Sequence, residues 1–232
     1  MKKVFVGIVL IIFSINNLHA QKKDVVEYRQ NWDKQKVFWG YYLGLNQKDF
    51  KITYLTPDNN FIDVKPSIGF DVGLIGDYRL HKNINVRLEP GLSSNTKELS
   101  FTYIPGGPAD SIRKVNATYL RVPLLLKFST DRYNNIRPYA IGGVSYDLNF
   151  SSNQDNPDDN SDGEFRMKKN NFMYEIGFGI DLYLPYFIFS PSIRGIFAIN
   201  NELVYDNNSN SQWTGNIDYF GTRGVFIKFA FH

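Results

Sequence analysis

The chain has 232 residues with no cysteine and three histidines (His19, His81, His232), which excludes disulfide frameworks, cysteine–zinc sites and thiol nucleophiles. A net charge of +3 gives no electrostatic case for nucleic-acid binding. Apolar residues make up 43% and aromatic residues 16%, too few in unbroken runs for a bundle of transmembrane helices, which needs stretches of ~20 apolar residues, yet compatible with a membrane crossed by strands.

Residues 1–20 have the layout of a cleaved secretory signal peptide. Lys2 and Lys3 precede an apolar run from Val4 to Phe13, and Leu18-His19-Ala20 stands before Gln21 as the cleavage site. The run is too short to span a bilayer, and no cysteine follows it for lipid attachment. Residues 21–36 are polar with mixed charge and read as an exposed N-terminal arm. No linker or break in composition divides residues 37–232, which read as one domain.

From Val37 onward apolar residues recur at every second position, the period of strands with two unlike faces. In 67–80, Ile68, Phe70, Val72, Leu74, Tyr78 and Leu80 share one face, and Ser67, Gly69, Asp71, Gly73, Asp77 and Arg79 the other. Residues 172–184 repeat the pattern, and a 3.6-residue period would mix both sets. Eight segments follow, at 37–54, 66–80, 83–101, 115–129, 136–152, 171–184, 186–201 and 222–232. Their connections alternate between short turns and long polar loops. An even strand number with that alternation predicts an all-β fold, an eight-stranded antiparallel transmembrane β-barrel of the outer membrane with both termini in the periplasm.

A water-soluble barrel turns its apolar face inward. Here charges lie mid-strand on the non-apolar face, so the apolar face is expected to meet lipid. Thirteen residues at ~3.3 Å each, tilted by ~45°, cover an apolar band ~25 Å tall. Aromatics collect near strand ends as interface girdles: Trp39, Tyr41, Tyr78, Phe128, Tyr186, Phe187, Phe229 and Phe231 at the short-turn end, Phe150, Phe172 and Tyr174 at the other. Pro90, Pro123, Pro138 and Pro191 lack a ladder donor, and bulges are expected near Pro90, Pro123 and Pro191.

Eight strands enclose a space that side chains fill. The inward face supplies Asp71, Asp77, Glu89, Asp147, Glu175 and Asp181 against Arg79, Arg87, Arg121, Lys127, Arg194 and Lys228. Charges with little water must pair, so a lumen charge network is expected, either a structural plug or a gated proton or ion path. Gly142-Gly143, Gly177 and Gly179 are expected to relieve crowding where large inward side chains meet. No cofactor is expected. Asp158, Asn160 and Asp162, followed by Gly163, match the first half of a calcium loop, but its twelfth position is Lys169 where a bidentate glutamate belongs, so the stretch reads as an acidic loop tip. His81 and His232 both fall at the short-turn end, away from the long-loop rim where an outer-membrane hydrolase would place its base, so no enzyme is expected.

The run Tyr119-Leu-Arg-Val-Pro-Leu-Leu-Leu-Lys-Phe128, with Glu89-Pro-Gly-Leu92 and Arg137-Pro-Tyr-Ala-Ile-Gly-Gly143, resembles blocks of the outer-membrane barrel domain common in Bacteroidota. Asn31-Trp-Asp33, Phe38-x-Gly40, Leu43-Gly-Leu-Asn46 and Asp49-Phe50 resemble the PorT family, a component of the type IX secretion system. That resemblance implies a non-enzymatic outer-membrane protein required for export of proteins with C-terminal sorting domains, and often for gliding motility. Its implied partners are outer-membrane lipid and other secretion subunits, with no nucleic acid and no small-molecule substrate. A general surface barrel, an adhesin or small channel, is the alternative.

Overall fold

A computed structural model describes residues 26–56, 61–104, 107, 111–156, 165–208 and 211–232. The leader expected at 1–20, the first residues of the arm and the acidic tip holding Asp158, Asn160 and Asp162 lie outside these residues.

Ten strand segments form one antiparallel sheet: β1 (Val37–Tyr54), β2 (Ile62–Pro66), β3 (Ile68–His81), β4 (Ile84–Leu88), β5 (Gly91–Phe101), β6 (Ile112–Ser129), β7 (Ile136–Asn149), β8 (Asn170–Tyr183), β9 (Ile188–Ala198) and β10 (Ile217–Phe231). β2 and β3 are two parts of one span interrupted at Ser67, and β4 and β5 two parts of another interrupted at Glu89-Pro90, so the barrel has eight spans. Neighbours in sequence pair around the sheet, and β1 closes the ring by pairing with both β10 and β3. The closure leaves no free edge through most of the wall, which an open sheet in lipid could not tolerate.

The faces are as the alternation predicts. Phe70 and Phe178 are 57% and 65% exposed on the outer wall, while their neighbours Asp71 and Glu175 keep 2% and 3%. The outward aromatics at the short-turn end include the stacked pair Tyr41–Phe231 at 5.2 Å. Every side chain on this wall that meets acyl chains rather than water gains from that contact, while the inward polar set is spared it.

The prolines do not make bulges. Leu88 faces Leu124 and Gly91 faces Arg121, so register is the same on both sides of Glu89-Pro90. Pro123 pairs with Ser145 and Pro191 with Phe229 inside unbroken ladders. Each proline loses only its donor half. The Pro90 carbonyl accepts from the Leu74 N–H (2.9 Å), the Pro123 carbonyl from the Glu89 N–H (3.3 Å) and the Pro138 carbonyl from the Thr130 N–H (3.0 Å). Register shifts occur elsewhere, at Thr53/Tyr54 between β1 and β10 and at Arg79/His81 before the β3–β4 turn.

Both ends of the barrel are covered. At the long-loop end Phe50, Leu99, Phe101, Val115 and Phe220 from the strands pack with Phe165, Met167 and Leu203 from the loops. Phe50 and Phe220 lie 4.2 Å apart, and Phe165 sits 5.2 Å from Phe220. At the short-turn end the described part of the arm carries a 3-10 turn, Gln30–Lys34. The described part of the arm has no buried residue, but it is not free: Trp32 rests 4.7 Å from Phe38, and Asn135 ties it through bonds to the Tyr28 N–H and the Val26 carbonyl (both 2.9 Å).

Candidate functional site

The inward positions of eight spans converge on the barrel axis, and ten of the twelve charged residues read from the sequence meet there as ion pairs. At the short-turn end Asp77 and Arg87 are direct cross-strand partners, with Arg87 donating from Nη2 (2.6 Å) and Nε (2.9 Å) to Asp77 Oδ2. Asn85 donates to the other oxygen of Asp77 (2.8 Å). Lys127 pairs with Asp181 at 2.6 Å, and Ser190 also donates to Asp181.

Halfway along the barrel Glu89 reaches across the lumen. Its carboxylate accepts both Nη groups of Arg194 (2.7 and 2.9 Å) and Lys228 Nζ (3.1 Å), with Arg87 at 3.5 Å. Arg121 joins its cross-strand partner Asp147 (2.9 Å) to Glu175, and Arg194 approaches Glu175 at 3.8 Å. All these groups are buried, and a forked guanidinium–carboxylate contact supplies the geometry that a buried charge requires. Glu89 therefore ties the β4–β5 span to β9 and β10 through the axis, like a crossbar.

Two of the twelve behave differently. Asp71 is buried but accepts only a 3.4 Å bond from Asn46, with no ion pair among the described residues. Arg79 lies at the short-turn mouth, 3.9 Å from Asp33.

Large inward rings complete the filling. Tyr139 lies over Gly179, where an added Cβ would fall 2.3 Å from the ring, and Arg194 lies beside Gly177. These two glycines serve the expected role. Gly143 approaches β6 backbone instead of a side chain, and Gly142 has outward parity, paired with Leu126 and Ile176, so neither relieves lumen crowding. Tyr42 is accommodated at Gly73 and Gly91, which the sequence reading did not single out.

Above the crossbar lies a tier the sequence reading did not identify. Lys48 donates to Ser93 (2.8 Å) and faces the Tyr119 ring at 4.4 Å; Lys97 donates to Thr222 (3.4 Å) and lies 3.5 Å from the Phe50 ring. Thr222 in turn donates from its N–H (3.0 Å) and hydroxyl (2.8 Å) to Glu202, a loop residue folded into the lumen. Burial raises the Glu202 carboxyl above its ordinary value, with Lys97 opposing. Lys48 shares parity with Asn46 and Phe50, and Lys97 with Asn95 and Leu99, so the two-residue period carried the signal for both. Nothing periodic marks Glu202. Among the described residues no cluster of histidine, aspartate and glutamate could hold a metal ion.

At the short-turn mouth a recess of about 20 Å3, room for about one water, is bounded by Trp32, Phe38, Arg137, Tyr183 and His232. Burial, with Arg87 and Lys127 nearby, lowers His232 to about 4.

Among solved structures the chain is similar to OprG from Pseudomonas aeruginosa, with 15% identity, a TM-score of 0.46, and coverage of 85% of this chain and 96% of that one. It is also similar to Neisserial surface protein A (8% identity, TM-score 0.46, 84% and 98% covered) and to the outer membrane protein AlkL (15%, 0.41, 90% and 92%). None of the curated proteins compared matches the chain. The family model for the outer membrane protein beta-barrel domain matches residues 20–204. Spanning most of a closed eight-span ring with a lipid-facing apolar wall, that match places the chain in the outer membrane protein beta-barrel domain family.

Proposed function

We propose that this barrel is a filled, non-enzymatic accessory component of type IX protein export, with both termini in the periplasm. The supporting observation is where its PorT-like residues fall. Asn31-Trp32-Asp33 and Phe38 make the cap over the short-turn mouth, while Leu43–Asn46 and Asp49-Phe50 run along β1, so on this reading the first part of the resembling segment faces periplasmic subunits. The crossbar at Glu89 and the aromatic cover at the long-loop end leave the barrel a scaffold rather than a conduit, and on this reading the charge network serves structure, not proton transfer. Partner subunits are contacted at the capped mouth and the long loops.

Deleting the gene and assaying export of sorting-domain cargo tests the reading; normal export overturns it. The alternative, a general surface barrel acting as an adhesin or small channel, draws on the family match, which specifies the barrel alone.

A further inference from the structure

Three guanidinium groups meet at the short-turn mouth around one carboxylate. Asp33 lies 3.2 Å from Arg137, 3.3 Å from Arg132 and 3.9 Å from Arg79. The arginine side chains are 8–12% exposed, whereas that of Asp33 is 36% exposed. The barrel holds Arg137 and Arg132 through contacts of its own, while Arg79 donates to the Asp33 backbone carbonyl as well as facing its carboxylate. Arg137 donates to the carbonyls of Thr130 (2.9 Å) and Lys82 (2.7 Å). Arg132 donates to the Asn134 carbonyl (2.6 Å) and lies over the Tyr183 ring at 3.8 Å, and Arg79 lies over the Phe38 ring at 4.7 Å. Arg79 Nε is buried without a hydrogen-bond partner.

A preformed cluster of like charges needs an anion, because no solvent shell screens the three groups from one another. What fills it is held by hydrogen bonds rather than by apolar burial: Arg79 and Arg132 donate to the Asp33 and Tyr28 carbonyls, and Arg29 of the arm donates to the Tyr186 carbonyl. The described part of the arm has no buried residue, its Trp32 is only partly covered against Phe38, and Arg29 begins its turn in the left-handed region at φ 53°. The occupant's covalent tether adds to these bonds through a high effective concentration.

We propose that Arg79, Arg132 and Arg137 form a receptor for an acidic–aromatic peptide segment of a partner polypeptide, and that Trp32-Asp33 of the arm occupies it in cis until displaced. The resident ligand defines the chemistry: one carboxylate into the arginine fork, one aromatic ring onto Phe38. Locating this receptor in the periplasm rests on the orientation proposed above. Peptide binding does not, so a failed binding experiment and normal export in the deletion strain are separate results.

The test uses the full chain refolded in phosphatidylcholine nanodiscs, with a fluorescent peptide of residues 26–36 as the probe. The absence of cysteine lets a single Gln30→Cys nitroxide report the arm. In Asp33→Ala the nitroxide becomes more mobile, and the peptide binds at least tenfold tighter than to the wild type. A peptide with asparagine in place of Asp33, or alanine in place of Trp32, binds at least tenfold more weakly. Asp33→Asn, which keeps the side-chain shape, behaves as Asp33→Ala and guards against misfolding. Equal binding to wild type and both variants, binding to none of them, or indifference to the peptide substitutions overturns the proposal.

Discussion

Glu89 shows what one side chain can do at the axis of a closed barrel. It neutralises Arg194 and Lys228 from the opposite wall, and neither has bulk water to turn to. Glu89→Gln leaves two buried cations short of a counter-charge and is expected to cost about 3–5 kcal/mol, read as a lower urea midpoint in detergent or bicelles. Lys65→Ala, which removes the exposed Lys65–Glu98 pair, should change that midpoint by less than about 1 kcal/mol. His232 gives a pH dependence with a definite sign. Its folded value of about 4 lies below the ordinary 6.5 because burial and the cations Arg87 and Lys127 outweigh Asp77 and Asp181. As pH falls from about 6.5 toward 4, the unfolded chain takes up a proton that the folded chain refuses, so stability is lost across that window, by about 1–3 kcal/mol at pH 4. Unfolding of His232→Phe, followed over the same range, should lack this component; identical slopes for both proteins would contradict it.

Among the elements, β1 has three regimes. From Tyr41 to Gln47 it is registered on both sides, against β10 and β3, while Val37–Gly40 pair with β3 alone and from Lys48 to Tyr54 only β10 is registered against it. β2 opposite pairs with β5 alone, and the seam is bridged at its rim by the Ile62 N–H donating to the Tyr54 hydroxyl (2.9 Å). Amides of 48–54 that point toward β2 should therefore exchange at least tenfold faster than those of 41–47, measured by hydrogen exchange on the bilayer-embedded protein. The spans themselves were legible in the sequence because lipid and lumen impose opposite chemistry on alternate residues. β2 was not, since Asp63, Lys65 and Pro66 make its five residues look like loop. The proline bulges failed for a local reason: in an antiparallel ladder each residue bonds to one neighbour only, so a missing N–H removes one bond and leaves register intact. The long-loop cover was hidden for a different one. Phe165, Met167 and Leu203 sit in polar surroundings without period, and only folding brings them onto Phe50 and Phe220.

Seen as one molecule, the barrel is obstructed at three levels: aromatic cover, crossbar and arginine-pinned cap. These obstacles are in series, so removing one leaves the others. Most of the middle level could be read from sequence, because charge at inward parity in a narrow barrel is strongly driven to pair, although Asp71 and the lysines Lys48 and Lys97 settle on polar and aromatic neighbours instead. The outer two could not, since they depend on where irregular segments land. The series arrangement sets an expectation for planar bilayers. Wild-type protein gives no steady conductance. Phe165→Ala with Phe220→Ala loosens the cover, at a stability cost of about 3–5 kcal/mol for each ring, yet conductance stays at baseline because Glu89 still joins opposite walls. Asp33→Ala, acting at the other mouth, leaves it there too. A steady current in any of these three proteins would show that the mid-barrel ion pairs yield to passing ions, and the scaffold reading would give way to a channel.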